Sequence, residues 1–159
     1  MKRITIIIVV LAGLVACNSS LTPERSVSGS LQVQIDRAHE GSIVKITDLT
    51  DFRWDGFFVF GPYTTSSLVD NALGFKWSGY NDFHLNESDT FSLLVFTLAQ
   101  HVVRVEQHSR CHPDFAGSIL AKRWTPKQAI FVLSKETSCP TLSVAAQQGA
   151  PADAKKRRG

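Results

Sequence analysis

His108, Cys111 and His112 spell H-x-x-C-H, two imidazoles and a thiol within five positions. That donor set suits a soft divalent metal such as zinc, but a closed site needs a fourth ligand and a free Cys111 thiolate. The nearest further imidazole, His101, lies seven residues before His108 and falls on the opposite face of a strand by alternation. No metal is therefore expected, and the Cys-His pair lacks the C-x-x-C-H spacing of haem attachment. Asp55 is the second candidate, because it stands inside the apolar run F-R-W-D-G-F-F-V-F. A carboxylate facing inward beside Phe57 and Val59 is either a perturbed catalytic acid or a structural acceptor for backbone N–H groups and an arginine. The structural role is favoured, with Arg53, Arg104 or Arg110 as the partner, since no histidine or second acid lies at a diagnostic spacing. An enzyme would have to pair Asp55 with a more distant histidine such as His84 or His101. Asp48, Asp51 and Asp55 imitate a calcium loop, yet the glycine and terminal glutamate are missing and Trp54 interrupts them. Ser66 and Ser67 have no G-x-S-x-G around them and read as residues of a helix cap. No catalytic set and no cofactor site emerge.

The elements that position these residues are organised around 52–74. From Trp54 to Phe60, alternation puts Trp54, Gly56, Phe58 and Phe60 on one face and Asp55, Phe57 and Val59 on the other. Both faces are apolar from Phe57 onward, so this strand is predicted to be covered on each side. Gly61-Pro62 ends it, Thr64 or Thr65 caps a short helix closing at Gly74, and Tyr63 is placed to staple against Leu68. Trp54, Asp55, Gly61, Pro62 and Tyr63 thus form the structural motif.

Around that nucleus, Leu31, Ile35 and Ala38 are spaced for a helix ending at Gly41, and residues 43–49 read as an edge strand. Trp77, Tyr80 and Phe83 sit in a loop, where aromatics more often cover a core edge than line a binding face. Residues 91–98 read as a second doubly buried strand. Ala99-Gln100 is the turn of a hairpin that lacks an Asn-Gly signature. Val103 and Val105 alternate against Arg104 and Glu106 as in a half-exposed strand, and 115–121 and 129–133 add short strands. The fold class is α+β: a single compact domain with a largely antiparallel sheet of about five or six strands and two short helices.

The N-terminus is different in kind. Lys2 and Arg3 precede an apolar run from Ile4 to Val15, shorter than the about 20 residues of a spanning helix. It ends in Leu14-Val15-Ala16-Cys17, which resembles the lipobox of bacterial lipoprotein precursors. That resemblance implies cleavage before Cys17 and palmitate-type acylation of its thiol, with two or more chains giving a stable membrane anchor. Asn18 follows where many lipoproteins retained in the inner membrane carry Asp, so the resemblance favours the outer membrane, facing the periplasm. The organisation expected is a signal peptide at 1–16, the lipidated Cys17 and a flexible tether at 17–29, a globular domain at 30–144 and a basic disordered tail at 145–159.

With Cys17 lipidated, Cys111 and Cys139 are the remaining pair, and an exported chain is expected to oxidise them. A direct hairpin of 101–108 with 129–133 would leave them at opposite ends. A strand at 115–121 between those two would bring both to the same end, about 10 Å apart, a gap that loops can close to the Cα separation a disulfide needs. The formal charge of +3 misleads, because residues 17–152 hold 11 basic against 13 acidic side chains, a net of about −2. No nucleic-acid surface is expected, and Lys155 to Arg158 read as a solvated tail that could touch anionic lipid.

The body also carries T-D-F-x-W-D, V-F-G-P-Y-T, L-G-F-x-W and D-x-F-S-L-L-V-F, in that order. This order resembles small bacterial lipoproteins of unassigned activity over about residues 30–142, and implies a shared fold without a reaction. The function expected is that of a lipid-anchored envelope protein acting by binding, as adaptor, structural component or inhibitor of another envelope protein. The alternative is a periplasmic enzyme built on Asp55 with His84 or His101.

Overall fold

A computed structural model describes residues 24–25, 30–135 and 138–145. In chain order its elements are β1 (Glu24–Arg25), α1 (Ser30–Asp36), β2 (Ile43–Lys45), β3 (Gly56–Phe60), α2 (Ser66–Leu73), β4 (Phe91–Leu98), β5 (His101–Ser109), β6 (Asp114–Phe115), β7 (Ile130–Ser134) and β8 (Thr141–Val144). Short 3-10 helices cover Ile46–Leu49, Ser78–Phe83 and Leu85–Glu87. Cys17, the lipobox and residues 146–159 lie outside the described residues.

The class is α+β, but the strands form two sheets of four, in the orders β1-β5-β4-β3 and β2-β7-β8-β6, and not one of five or six. Within each sheet the long neighbours run antiparallel, and the two-residue strands β1 and β6 add parallel edges. Splitting the strands follows from β3 and β4 being apolar on both faces, which demands a covering layer on each side. One layer is the second sheet with α1. Phe57, Val59, Leu94 and Phe96 pack there against Leu31, Ile35, Phe131, Leu133 and Leu142. The other layer is α2 with the 3-10 helices, where Phe58, Phe60, Leu93 and Val95 meet Val69, Tyr80 and Leu85. No helix among the described residues is long and apolar enough to cross a membrane.

Several local readings change. Trp54 packs with Phe57 and Phe96, ring centroids 6.3 and 5.6 Å away, and not with Phe58 and Phe60. Pairing begins only at Gly56, so strand alternation does not extend back through Asp55. The strand expected at 43–49 stops at Lys45 and tightens into a 3-10 turn, and that at 115–121 is reduced to Asp114–Phe115. Strand β8 was not foreseen, and neither was β1, which pairs with β5 inside the stretch read as tether. Val103 is the extra residue of a bulge between the pairs Phe96–Arg104 and Thr97–Val102. It therefore packs toward the second sheet, whereas Val102 and Val105 face α2. Glu106, expected at a half-wet position, is only 4% exposed and accepts the Leu31 N–H of α1 at 3.3 Å.

Helix α2 begins after Thr65, and Gly74 closes it in the left-handed region with its N–H on the Asp70 carbonyl. Thr65 contributes no side-chain cap bond; the Thr64 hydroxyl instead donates to the Gly61 carbonyl at 2.6 Å. The staple is absent, since Tyr63 and Leu68 are 61% and 54% exposed. Tyr63 itself has φ +59°, which turns its side chain away while its N–H reaches the Leu85 carbonyl at 3.0 Å.

Candidate functional site

Asp55 does not face the core. Its side chain is 42% exposed, and each oxygen has a structural partner. Oδ2 accepts the Ala99 N–H at 2.9 Å; Oδ1 accepts the Thr97 hydroxyl at 3.1 Å and lies 3.3 Å from Arg123 Nη2. Arg123 also donates to the Asp55 carbonyl at 2.9 Å, so the partner is this arginine and not Arg53, Arg104 or Arg110. Burial pushes the carboxyl upward, while the Ala99 N–H, the Thr97 hydroxyl and the Arg123 guanidinium outweigh it and leave the pKa below the ordinary value. His84 sits exposed between two 3-10 turns and His101 opens β5; neither is a partner of these oxygens.

What Asp55 holds is the β4–β5 turn. Ala99 and Gln100 both have positive φ, +49° and +64°, the pattern of a type I′ hairpin turn made without the Asn-Gly that would fit it best. Fixing the Ala99 N–H from outside offsets part of that strain. The turn presents Gln100 and His101, both exposed, to one wall of an open groove of about 550 Å³. Phe75, Lys76, Trp77, Ser78 and Asp82 supply the opposite wall.

Trp77 is fixed from several sides. Its backbone N–H donates to Asp70 Oδ1 at 2.9 Å, and its ring lies 6.5 Å from Tyr80 and 5.9 Å from Phe83. The indole rests on Gly79, where a Cβ would come within 2.7 Å of Nε1, so only glycine admits this ring position without a shift. Two carboxylates, Asp55 and Asp70, thus brace the two walls. A second open cleft of similar volume shares Phe75 and Lys76 and continues past Ser66, Asp70 and Asn71.

No family model, curated protein or solved structure matches this chain.

The H-x-x-C-H residues go separate ways. Cys111 is bonded to Cys139, with Cα atoms 4.5 Å apart. Both cysteines come just before the parallel pair β6 and β8, which explains their meeting at one end. The expected link is present, but neither strand arrangement considered for it is, because β5 and β7 belong to different sheets. His112 Nδ1 lies 3.3 Å from Asp36 Oδ2. His108 is 1% exposed and donates Nε2–H to the Pro113 carbonyl at 2.8 Å, leaving Nδ1 without a hydrogen-bond partner. Burial holds its pKa below the ordinary histidine value, with the Pro113 carbonyl, Asp114 and Asp36 offsetting only part. His101 and His108 lie at opposite ends of β5, and the Val103 bulge removes the parity argument that separated them. Among the described residues, no three His, Cys, Asp or Glu side chains converge on a metal position.

In the structural motif, Gly61 ends β3 and Pro62-Tyr63 form an exposed corner over Leu85. The groove itself was missed from the sequence, although the aromatic loop holding Trp77 was its visible signal.

Proposed function

We propose that this chain is a lipid-anchored cell-envelope protein that acts by binding, with the groove between Trp77 and the β4–β5 turn as its binding surface. The observation that carries the reading is the Cys111–Cys139 disulfide. It accounts for two of the chain's three cysteines and suits an oxidising compartment outside the cytosol. The remaining cysteine is Cys17, at the end of L-V-A-C. Acylation there, with export to the periplasmic face of the outer membrane, would hold the domain near that surface, where an envelope component is the natural ligand. The enzyme alternative loses its principal support, since the Asp55 carboxylate is engaged by Ala99, Thr97 and Arg123.

Labelling cells with radioactive palmitate tests the anchor. Wild-type protein should incorporate label and partition with membranes, and Cys17→Ser should do neither. A Cys17→Ser protein that is still labelled and membrane-bound would sink the lipoprotein reading.

A further inference from the structure

We propose that the groove binds a glycan of N-acetylated hexosamines. The proposal rests on the groove being the binding surface and is independent of the anchor at Cys17. A pyranose ring has a C–H face that packs on an aromatic plane and a rim of hydroxyls that need both donors and acceptors. Trp77 is a partly exposed aromatic whose position is fixed before any ligand arrives by Asp70, Tyr80, Phe83 and the bare Gly79. Such preorganisation removes an ordering cost from binding. Around it stand complementary polar groups: the Asp82 carboxylate only accepts, the Lys76 ammonium only donates, and Gln100, His101 and Ser78 can do both.

An acetamido group pairs a methyl with an amide, and the groove lining includes both an apolar ring, Phe75, and a side-chain amide, Gln100. The adjoining cleft past Phe75 and Lys76, with Ser66, Asp70 and Asn71, extends the polar lining for a second ring.

Full-length protein in detergent micelles can be titrated calorimetrically with the hexamer of N-acetylglucosamine and co-sedimented with purified peptidoglycan sacculi. We expect a dissociation constant between about 10 µM and 1 mM for the hexamer, or saturable sedimentation with sacculi. Gln100→Ala combined with His101→Ala should weaken binding about tenfold or more at unchanged melting temperature, since both side chains are exposed. Trp77→Ala should abolish it; if that variant does not fold, the exposed pair carries the test. Binding of sacculi alone assigns peptidoglycan strands as the source, and binding of the hexamer alone assigns another N-acetylated glycan. Folded wild-type protein that binds neither at about 10 mM sugar overturns the proposal. Affinity untouched by the exposed pair does so as well. A protein partner that cross-links to the groove in the absence of glycan binding would overturn the glycan and leave the binding reading standing. Glycan binding by a chain that takes no palmitate would remove only the anchor.

Discussion

On one face of the first sheet, Phe57, Val59, Leu94 and Phe96 press against a second sheet; on the other, Phe58, Phe60, Leu93 and Val95 lie under an eight-residue helix and two 3-10 turns. Both faces are fully buried, yet they are covered by materials of different stiffness. A sheet presents a continuous row of side chains that interlock, and the Phe57 ring has four aromatic neighbours there: Trp54, Phe96, Phe115 and Phe131. Short helical pieces meet the sheet at separate points and leave clefts between them. The two clefts described above are both lined by the α2 side of the molecule. The contrast predicts that truncations cost more on the sheet-covered face, while the two clefts lie on the other.

Cutting a large side chain from each face tests that contrast most severely. Phe57→Ala should cost about 5 kcal/mol, near the upper end for a buried phenylalanine, because its rigid surroundings cannot close the cavity. Phe58→Ala should cost about 3 kcal/mol, since α2 and the 3-10 turns can settle inward. Denaturant midpoints at constant slope measure both. Equal losses would mean the two coverings are equally stiff.

Next in size is the staple at the end of the second sheet. Replacing Cys111 and Cys139 together by Ser should lower stability by about 2–4 kcal/mol, because the link constrains a sequence separation of 28. Hydrogen exchange should quicken first in β6 and β8, whose pairing begins beside the bond. Unchanged exchange there would show that the short strands hold themselves.

Acid should loosen the same face. His108, on β5, is buried against the Phe115 ring, and its folded pKa lies below the ordinary value of about 6.5. Stability from the neutral ring is complete above that value and declines as pH falls below it, because the unfolded chain takes up the proton more readily. His108→Gln should flatten the melting-temperature profile below about pH 6.5. A profile as steep as that of wild type would assign the acid sensitivity elsewhere. Asp55 has the same sign at lower pH: its contribution is present above about 3.9 and fades below.

Asp55→Asn should therefore cost about 1 kcal/mol or less at neutral pH, a figure discounted because the carboxylate is 42% exposed. The loss should show as faster exchange of the Ala99 N–H, which Asp55 holds. A fully stable Asp55→Asn chain with unaltered Ala99 exchange would return this carboxylate to the list of catalytic candidates.

Three strands of the first sheet are legible in the sequence, because β3 and β4 are unbroken apolar runs and a tight turn at Ala99-Gln100 joins β4 to β5. The second sheet was poorly legible, since its strands are two to five residues long and T-L-S-V offers too few positions for a period. The cysteine pairing could be read from the cysteine count and an expected export, whereas the parallel pair that brings the thiols together depends on contacts far apart in sequence. Arg123 was missed as the partner of Asp55 for the same reason, at a sequence separation of 68. Nothing in V-V-R-V announces a bulge, so simple alternation misplaces Val103, and Glu106 is dry because α1 covers its face from 75 residues away in sequence. The groove was hidden because its walls, residues 75–82 and 100–102, become neighbours only through the fold.

The smallest effect sharpens the comparison most, since it separates stability from chemistry at one position. Gln100 holds φ +64°, and a left-handed conformation costs a non-glycine residue about 1–2 kcal/mol. Gln100→Gly removes that cost but adds freedom to the unfolded chain, so a net gain of about 0.5–1 kcal/mol is expected. Ala99 carries the same kind of strain and is eased by the Asp55 carboxylate, whereas the Gln100 side chain points to a use for the strain in its own residue. The melting temperature of Gln100→Gly should rise by a few degrees, while its binding of N-acetylated sugar falls. A variant that is both more stable and an equally good binder would show that the turn residue is an accident of the hairpin and that the groove ends short of it. A variant that loses stability would show instead that Gln100 is held by packing, making this corner of the α2 face as stiff as the face beneath the second sheet.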